Sequence, residues 1–471
     1  MTSAQITMLV ILIAYMAVVL VVGLRASKRV SGSEDFLLAG RSMGLFVLVG
    51  TLCATQLGGG NIIGTSNNGY NQGLSGMTFG VSTGVAMLVL GFLMAKPMRK
   101  MGLCTISDYV YTRYKSNTAR VLTSVFSFAA LVGILAAQVG AISKVLTVFG
   151  INTKMAAVIA ISIIILYTAF SGMWGVALTD VVQLCVIFVG VPLTTIIGMV
   201  KIGGWSGMVA KLSAMDVPGG LETYLSPTGI GLAAMASIAL PMIAYEIIGQ
   251  DFYQRLLSAK NEHVAKTGCL IAGCILMAMG VNSAVDGMLA RAFLGDSLSE
   301  VSAIASLAVE VLPTVAAGVV IAALCAAVMS TADSLLLACT SHVVNDIYLG
   351  AMGKSTSDEG SSKAILRMSV ITTVVVGVAS LFVALAIPGI ITILDYAYTF
   401  YASGLVAPVL LGLFWKKGND KAAVTSIIVG GVVALLCVFK IIALPVDEII
   451  AGMGASFITY VVVALATGSK E

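Results

Sequence analysis

From Leu45 to Ala95 the chain carries no Asp, Glu, Lys or Arg, yet the middle of that stretch reads Ala54-Thr55-Gln56-Leu57-Gly58-Gly59-Gly60-Asn61-Ile62-Ile63-Gly64. A charge-free run of this length belongs in a bilayer, where ~20 apolar residues cross the ~30 Å hydrocarbon core. Each interior glycine, however, costs a helix about 1 kcal/mol relative to alanine. Lipid satisfies no backbone hydrogen bonds, so non-helical backbone at that depth survives only when buried in protein or lining a cavity. The stretch therefore predicts a helix interrupted at about 54–61, with Gln56 and Asn61 presenting polar groups to whatever binds there. The competing reading is an unbroken crossing in which small residues let two helices approach closely.

The rest of the chain is written for the same solvent. Of its 471 residues, 59% are hydrophobic and 10% charged, against about 25% charged in a soluble domain. An all-α membrane protein follows. About thirteen transmembrane spans are predicted, at 5–24, 46–70, 75–95, 121–146, 155–172, 176–200, 229–251, 266–290, 313–340, 364–386, 389–415, 421–442 and 448–467. The first span has no basic region before it and no A-x-A cleavage pattern, so it is expected to be retained. Placing the N-terminus outside and the C-terminus in the cytoplasm puts twenty of the 26 Lys and Arg residues on the cytoplasmic side, the side that collects positive charge. The net charge of +4 is then a topology signal for an inner or plasma membrane; it carries no nucleic-acid signal. The eight cysteines form no C-x-x-C pair and read as packing residues. No H-E-x-x-H motif is present, which argues against an intramembrane enzyme of that kind.

The spans also repeat. Those at 45–201 and 229–415 form two blocks of five, and an odd number forces the second block to run opposite to the first. Each block opens on an interrupted segment, the glycine run and then Pro241-Met242-Ile243-Ala244-Tyr245-Glu246-Ile247-Ile248-Gly249-Gln250. Matching interruptions point to a five-plus-five inverted repeat with its site at the midplane. The segment 5–24 and the pair within 421–467 are then accessory helices of a single transporter domain. Between spans, the polar stretch through Tyr114 predicts a surface helix capped near Ser107 or Asp108, and the loops 201–228 and 291–312 are candidate external gates.

Two segments carry oxygen ligands. Thr179-Asp180-Val181-Val182-Gln183 places an acid inside a span, a costly position that is functional by default, although near a helix start Asp180 also complements the dipole. In Ala326-Ala327-Val328-Met329-Ser330-Thr331-Ala332-Asp333-Ser334, helical spacing puts Ala327, Ser330 and Thr331 on one face and Ser330, Asp333 and Ser334 on the next. Hard cations want such oxygens; the alternative is hydroxyls that bond back to their own helix.

Ala54-x-x-Leu57-Gly58 together with Met329-Ser330-Thr331-Ala332-Asp333-Ser334, Thr179-Asp180-Val181-Val182-Gln183 and Gln250-Asp251-Phe252-Tyr253-Gln254-Arg255 resembles the sodium/solute symporter family across essentially the whole chain. The resemblance implies the leucine-transporter-like fold and sodium as coupling ion. It implies a sodium site on Ala54, Leu57, Ala327, Ser330 and Thr331, and a second one, present in some members, on Asp180, Ser330, Asp333 and Ser334. Gly58-Gly59-Gly60-Asn61-Ile62-Ile63-Gly64-Thr65 looks most like the high-affinity choline branch, but Gln56 and Gly249 stand where that branch has tryptophan. The substrate set expected from the cavity helices is Gln56, Gly58, Gly59, Asn61, Gln138, Tyr245, Glu246, Gly249, Tyr398 and Tyr401. With no Lys or Arg among them, a small polar organic solute is expected, amine-bearing if Glu246 touches it. The expected function is sodium-driven import of that solute by alternating access. Proton coupling through Asp180, Asp333 or Glu246, a structural Glu246, and a sensor on the same scaffold are the alternatives.

Overall fold

Beyond α1 (Ser3–Ala26), the first interruption falls where the glycine run predicts it. α2 (Leu45–Gln56) stops because Leu57 leaves the helix at ψ 40° and Gly58 is extended at φ −81°, ψ −163°. The chain re-enters through a wide π-type turn over Gly59–Gly64 and continues as α3 (Thr65–Gln72) and α4 (Thr78–Leu93). None of Gly58, Gly59 and Gly60 has a positive φ. The glycines are there for space: a Cβ on Gly58 would lie 2.2 Å from Thr331 Oγ1, one on Gly59 2.3 Å from the Ala141 methyl and one on Gly60 2.5 Å from Leu394 Cδ1.

The chain then runs through α5 (Ile106–Tyr114), α6 (Asn117–Leu146), α7 (Thr153–Thr168), α8 (Gly172–Ile202), α9 (Leu232–Ile248), α10 (Gln250–Ser258), α11 (Glu262–Leu294), α12 (Thr314–Ser341), α13 (Ser361–Ala386), α14 (Ile390–Phe414), α15 (Asp420–Val438) and α16 (Glu448–Thr467). The computed structural model describes residues 2–26, 33–168, 172–298, 302–351, 361–387 and 389–467. Four basic residues used above for orientation, Lys28, Arg29, Lys354 and Lys470, fall outside these ranges, as do parts of the predicted 155–172 span and 291–312 loop.

The second interruption separates α9 from α10 by a 42° bend, with Gly249 extended at φ −64°, ψ 127°. Pro241, part of the predicted interruption, does not end the helix: α9 continues through the proline to Ile248, as membrane helices do where neighbours satisfy the freed backbone. Among the described residues, ten helices are long and apolar enough to cross a membrane, eleven with the bent pair. α2 and the apolar part of α7 are shorter than a full crossing.

α12 is the innermost element, buried at every position from Val320 to Ser341, whereas α1 buries Met8, Leu12, Val19, Gly23 and Ala26. It packs on α8, α6 and α1, while α2 lies against α8 and α11, and α9 against α4 and α14. The outer surface keeps large apolar side chains such as Val200 and Phe382 exposed, which hydrocarbon accepts without cost. Small residues do make the α4–α11 crossing, where a Cβ on Gly80 would lie 2.6 Å from Gly280 Cα.

At one end, α5 is capped by Thr105, and the earlier choice of Ser107 or Asp108 is corrected. Asp108 stands three residues on and accepts from the Thr105 N–H at 3.3 Å, while the Thr105 hydroxyl accepts from the Asp108 N–H at 3.0 Å. Asp108 is thus the reciprocal partner of a capping box. Opposite, the 201–228 connection holds two short helices, Gly204–Ser213 and Gly220–Leu225. Buried Tyr224 docks it, donating to the Gly69 and Tyr70 carbonyls at the end of α3 at 2.9 and 3.0 Å.

Candidate functional site

The end of α2 meets the middle of α12. Helix ends leave carbonyls without intrahelical partners, and here α12 supplies hydroxyls to them. Ser330 Oγ donates to the Ala54 carbonyl at 2.7 Å, and Thr331 Oγ1 to the Thr55 carbonyl at 2.7 Å. Both also reach back to the Ala327 carbonyl, at 3.0 and 3.1 Å. The two readings of these hydroxyls are therefore compatible, since the same atoms bond back to their own helix and reach across to α2. Ala54, Ala327, Ser330 and Thr331, four of the five residues of the first expected sodium set, converge within hydrogen-bonding distance. Leu57, the fifth, is buried at the break itself. Thr55 joins the cluster and was not anticipated; its signal was the chain position next to Ala54.

The second expected set divides. Asp180 Oδ2 accepts from Thr51 at 2.5 Å and faces the Arg255 guanidinium at 3.4 Å, and Ser334 accepts from the same guanidinium. Ser334 also contacts Thr55 at 3.0 Å and donates to the Ser330 carbonyl at 2.6 Å. Asp333 instead accepts from Thr168 of α7 at 2.5 Å. Arg255 is the residue that sequence reading quoted without giving it a role.

A small cavity opens beside the break, with about 10 Å³ of free volume, roughly one water's worth. Gln56, Gly58, Asn61, Gln138, Tyr245 and Tyr398 of the expected substrate set line it. Gly59, Glu246, Gly249 and Tyr401 stand behind that lining. The Gly59 N–H donates to Gln138 Oε1 at 2.8 Å, which ties the turn to α6. Gln56 Nε2 donates to Glu246 Oε2 at 3.0 Å. Tyr401 donates to the Ile248 carbonyl at 2.8 Å, the last residue before the bend. Gly249 forms the bend, and a Cβ there would lie 3.0 Å from both Asp251 Oδ1 and Phe252 Cδ2.

The aromatic wall is tyrosine. Tyr245 stacks on Tyr398 with centroids 4.5 Å apart and meets Tyr401 at 5.3 Å. Phe79, Thr83 and Asp251 are among the further lining residues and were missed. Asp251 holds Tyr245 by accepting from its hydroxyl at 2.8 Å; its signal lay in the quoted segment after the second interruption. Two buried polar atoms here have no hydrogen-bond partner among the described residues, Asn61 Oδ1 and Glu246 Oε1. Asn61 Nδ2 donates to Thr83 Oγ1 at 2.6 Å, and Thr83 in turn donates to the Gly80 carbonyl at 2.7 Å. No Lys or Arg is among the lining residues.

Two broken helices, a hydroxyl–carbonyl cluster and a buried polar cavity between them describe a transporter, and comparison with known proteins names its kind. The profile of the sodium:solute symporter family matches residues 36–430. The chain belongs to that family. It is 30% identical to the sodium/pantothenate symporter of Escherichia coli, over 97% of this chain and 96% of that one. It is 26% identical to the sodium/glucose cotransporter of Vibrio parahaemolyticus, over 97% and 90%. It is 27% identical to the high-affinity choline transporter 1 of Caenorhabditis elegans, over 93% and 79%. In fold it is similar to a Na+-coupled sialic acid symporter, with a TM-score of 0.81 over 99% of this chain and 98% of that one at 20% identity. A nucleobase–cation symport-1 family transporter aligns at a TM-score of 0.54 and 14% identity, over 92% and 94%. The chain is thus a multi-pass membrane transporter of a sodium-coupled family, and not an enzyme.

Proposed function

We propose that this symporter imports a small polar solute rich in hydrogen-bond donors, driven by sodium held between the α2 end and α12. The observation that carries the substrate class is the pair of unpartnered acceptors, Asn61 Oδ1 and Glu246 Oε1, in a site whose lining has Asp251 and no basic side chain. A buried acceptor without a donor costs about 1–3 kcal/mol. A solute carrying an amine, amide or hydroxyl recovers that loss; a strongly anionic one finds no countercharge in the lining. The names of the relatives span pantothenate, glucose and choline, so family membership leaves this choice to the cavity.

Sodium is assigned to the Ala54, Leu57 and Ala327 carbonyls with the Ser330 and Thr331 hydroxyls. The hydroxyls now donate to the carbonyls with which they would share the ion. A second cation at Asp180, Ser330, Asp333 and Ser334 would require Arg255 to leave. One sodium moving through ~100 mV releases about 2.3 kcal/mol and a tenfold gradient about 1.4, enough to accumulate solute a few hundredfold. The architecture we assign is thirteen spans, counting α2–α3, α7 and α9–α10 each as one, in a five-plus-five inverted repeat at 45–201 and 229–415. The N-terminus is outside and the C-terminus cytoplasmic. Glu246, buried with one bare oxygen, favours one alternative, a proton as coupling ion.

The test is a thermal-shift screen of purified protein against amines, amino acids, sugars and vitamins, with and without sodium, since a ligand stabilises by RT ln(1 + [L]/Kd). Uptake into vesicles given a sodium or a proton gradient alone then decides the ion. Stabilisation by anions only, or uptake driven by protons without sodium, refutes the reading.

A further inference from the structure

The acidic cluster beside the first sodium site already holds a cation. Arg255 is fully buried on α10, yet all three of its guanidinium nitrogens are engaged. Nε donates to Thr51 Oγ1 at 2.8 Å, Nη1 to the Asp251 carbonyl at 2.9 Å, and Nη2 to Ser334 Oγ while facing Asp180 Oδ2 at 3.4 Å. Thr51 closes the circuit by donating to Asp180 Oδ2 at 2.5 Å. Three helices besides α10 therefore contribute to one charge pair: α2 through Thr51, α8 through Asp180 and α12 through Ser334.

A guanidinium does not lose its proton in proteins, so its charge is permanent. Sodium, close to calcium in size, would sit about 2.4 Å from its oxygens. Nη2 already occupies the approach to both Ser334 Oγ and Asp180 Oδ2. A second unit charge about 4 Å away, at an effective dielectric near 20, lowers cation affinity roughly a thousandfold. Asp333, the other acid of the set, is turned to Thr168 on α7.

We propose that Arg255 is the resident cation of this cluster, a charge carried on α10 that stands where a second sodium would bind, so that the transporter couples to one sodium per cycle. The proposal rests on the first sodium site and specifies its stoichiometry. It also gives the pair a mechanical role. Arg255 lies one turn after Asp251, which lines the substrate cavity, and is bonded to its carbonyl, so α10 is fastened at one end to the cavity and at the other to the helices that hold the ion.

Removing the guanidinium would leave Asp180 bare among the Thr51 and Ser334 hydroxyls and the Ser330 carbonyl, a set of hard oxygens. Equilibrium binding of radiolabelled sodium to the purified chain, with no solute present, reads the outcome directly. Wild type is expected to bind one sodium per chain, and Thr331→Ala to lose it; that arm tests the first site by itself. Arg255→Gln is expected to bind two, and the second is expected to vanish when Asp180→Asn is added. A folded Arg255→Gln chain that still binds one overturns the proposal, as does a wild type that binds two with one lost in the Asp180→Asn/Arg255→Gln double variant. If Arg255→Gln does not fold, wild type and the double variant decide, because the latter removes both buried charges together. Equal counts of one uphold the proposal and a lower count in the double variant refutes it. A wild type that binds no sodium fails the first site, and this inference with it.

Discussion

Gly58→Ala is the smallest change that separates sodium binding from the rest of the site. A methyl there would lie 2.2 Å from Thr331 Oγ1, 3.0 Å from Thr331 Cβ and 2.9 Å from Gln138 Oε1. The backbone can keep its conformation, because φ −81°, ψ −163° at Gly58 is open to any residue. The strain therefore falls on Thr331, whose β-branched side chain has few rotamers to escape into, and whose hydroxyl is held to the Thr55 and Ala327 carbonyls at 2.7 and 3.1 Å. Overpacking costs about 1–3 kcal/mol, and tenfold in affinity is 1.4 kcal/mol. If that cost is borne by the sodium-binding geometry, apparent sodium affinity falls ~5- to 150-fold. Gly60→Ala is the control: its methyl would meet Leu394 Cδ1 at 2.5 Å and the Phe79 ring at 3.1 Å, the far ends of cavity side chains. It is expected to weaken solute more than sodium. Titrating sodium against thermal stability for both variants checks this. Equal sodium midpoints in Gly58→Ala and wild type, or matching shifts in the two variants, would refute the placement of sodium beside Thr331.

Thr331→Ala with Ser330→Ala is expected to raise the sodium concentration for half-maximal binding by tenfold or more while the protein still assembles, since interhelical polar bonds in membranes average about 0.6 kcal/mol; gel-filtration profile and sodium titration check the two halves. Glu246→Gln removes a charge but keeps the shape that meets Gln56 at 3.0 Å; binding of an amine-bearing solute is expected to collapse while a neutral analogue is retained, and equal loss of both makes Glu246 a gating or proton residue. Tyr401→Phe deletes the bond to the Ile248 carbonyl and leaves the tilted ring contact with Tyr245. Uptake rate is expected to fall with little change in equilibrium binding, measured by comparing initial uptake with thermal shift.

What the sequence disclosed was what depends on local cost. A glycine run in hydrocarbon is expensive wherever it occurs, so the break at Leu57–Gly58 was legible, and so was the oxygen-bearing face of α12. The reason for the glycines was not legible, because a helix break alone does not tell torsion from space. Only the approach of Thr331, Ala141 and Leu394 from three other helices shows that the missing side chains make room. Asp180 was legible as a costly acid inside a span, but its partner, Arg255, comes from α10, 75 residues on. Asp251 was hidden for the same reason, since its place on the cavity depends on the bend at Gly249. Pro241 misled in the other direction, as a residue that breaks soluble helices and is carried inside this one.

The geometry also explains why ion and solute should bind together. A helix C-terminus concentrates carbonyl oxygens and partial negative charge, and the α2 end supplies Ala54 and Thr55 carbonyls to the α12 hydroxyls on one side while Gln56 and Gly58 line the cavity on the other. Ala54 and Leu57, whose carbonyls are proposed for the ion, alternate along one stretch of backbone with Gln56 and Gly58 of the cavity lining. Ser330 and Thr331 hold this end with two hydroxyl bonds. An ion placed among the same oxygens would take over that fastening and order the backbone that Gly58 and Gln56 share. The ordering cost met by the first ligand is then absent for the second, and by linkage the gain is reciprocal. A substitution that tightens the α2 end without touching either ligand should therefore raise both affinities, and one that loosens it should lower both; independent movement of the two would place the coupling elsewhere in the fold.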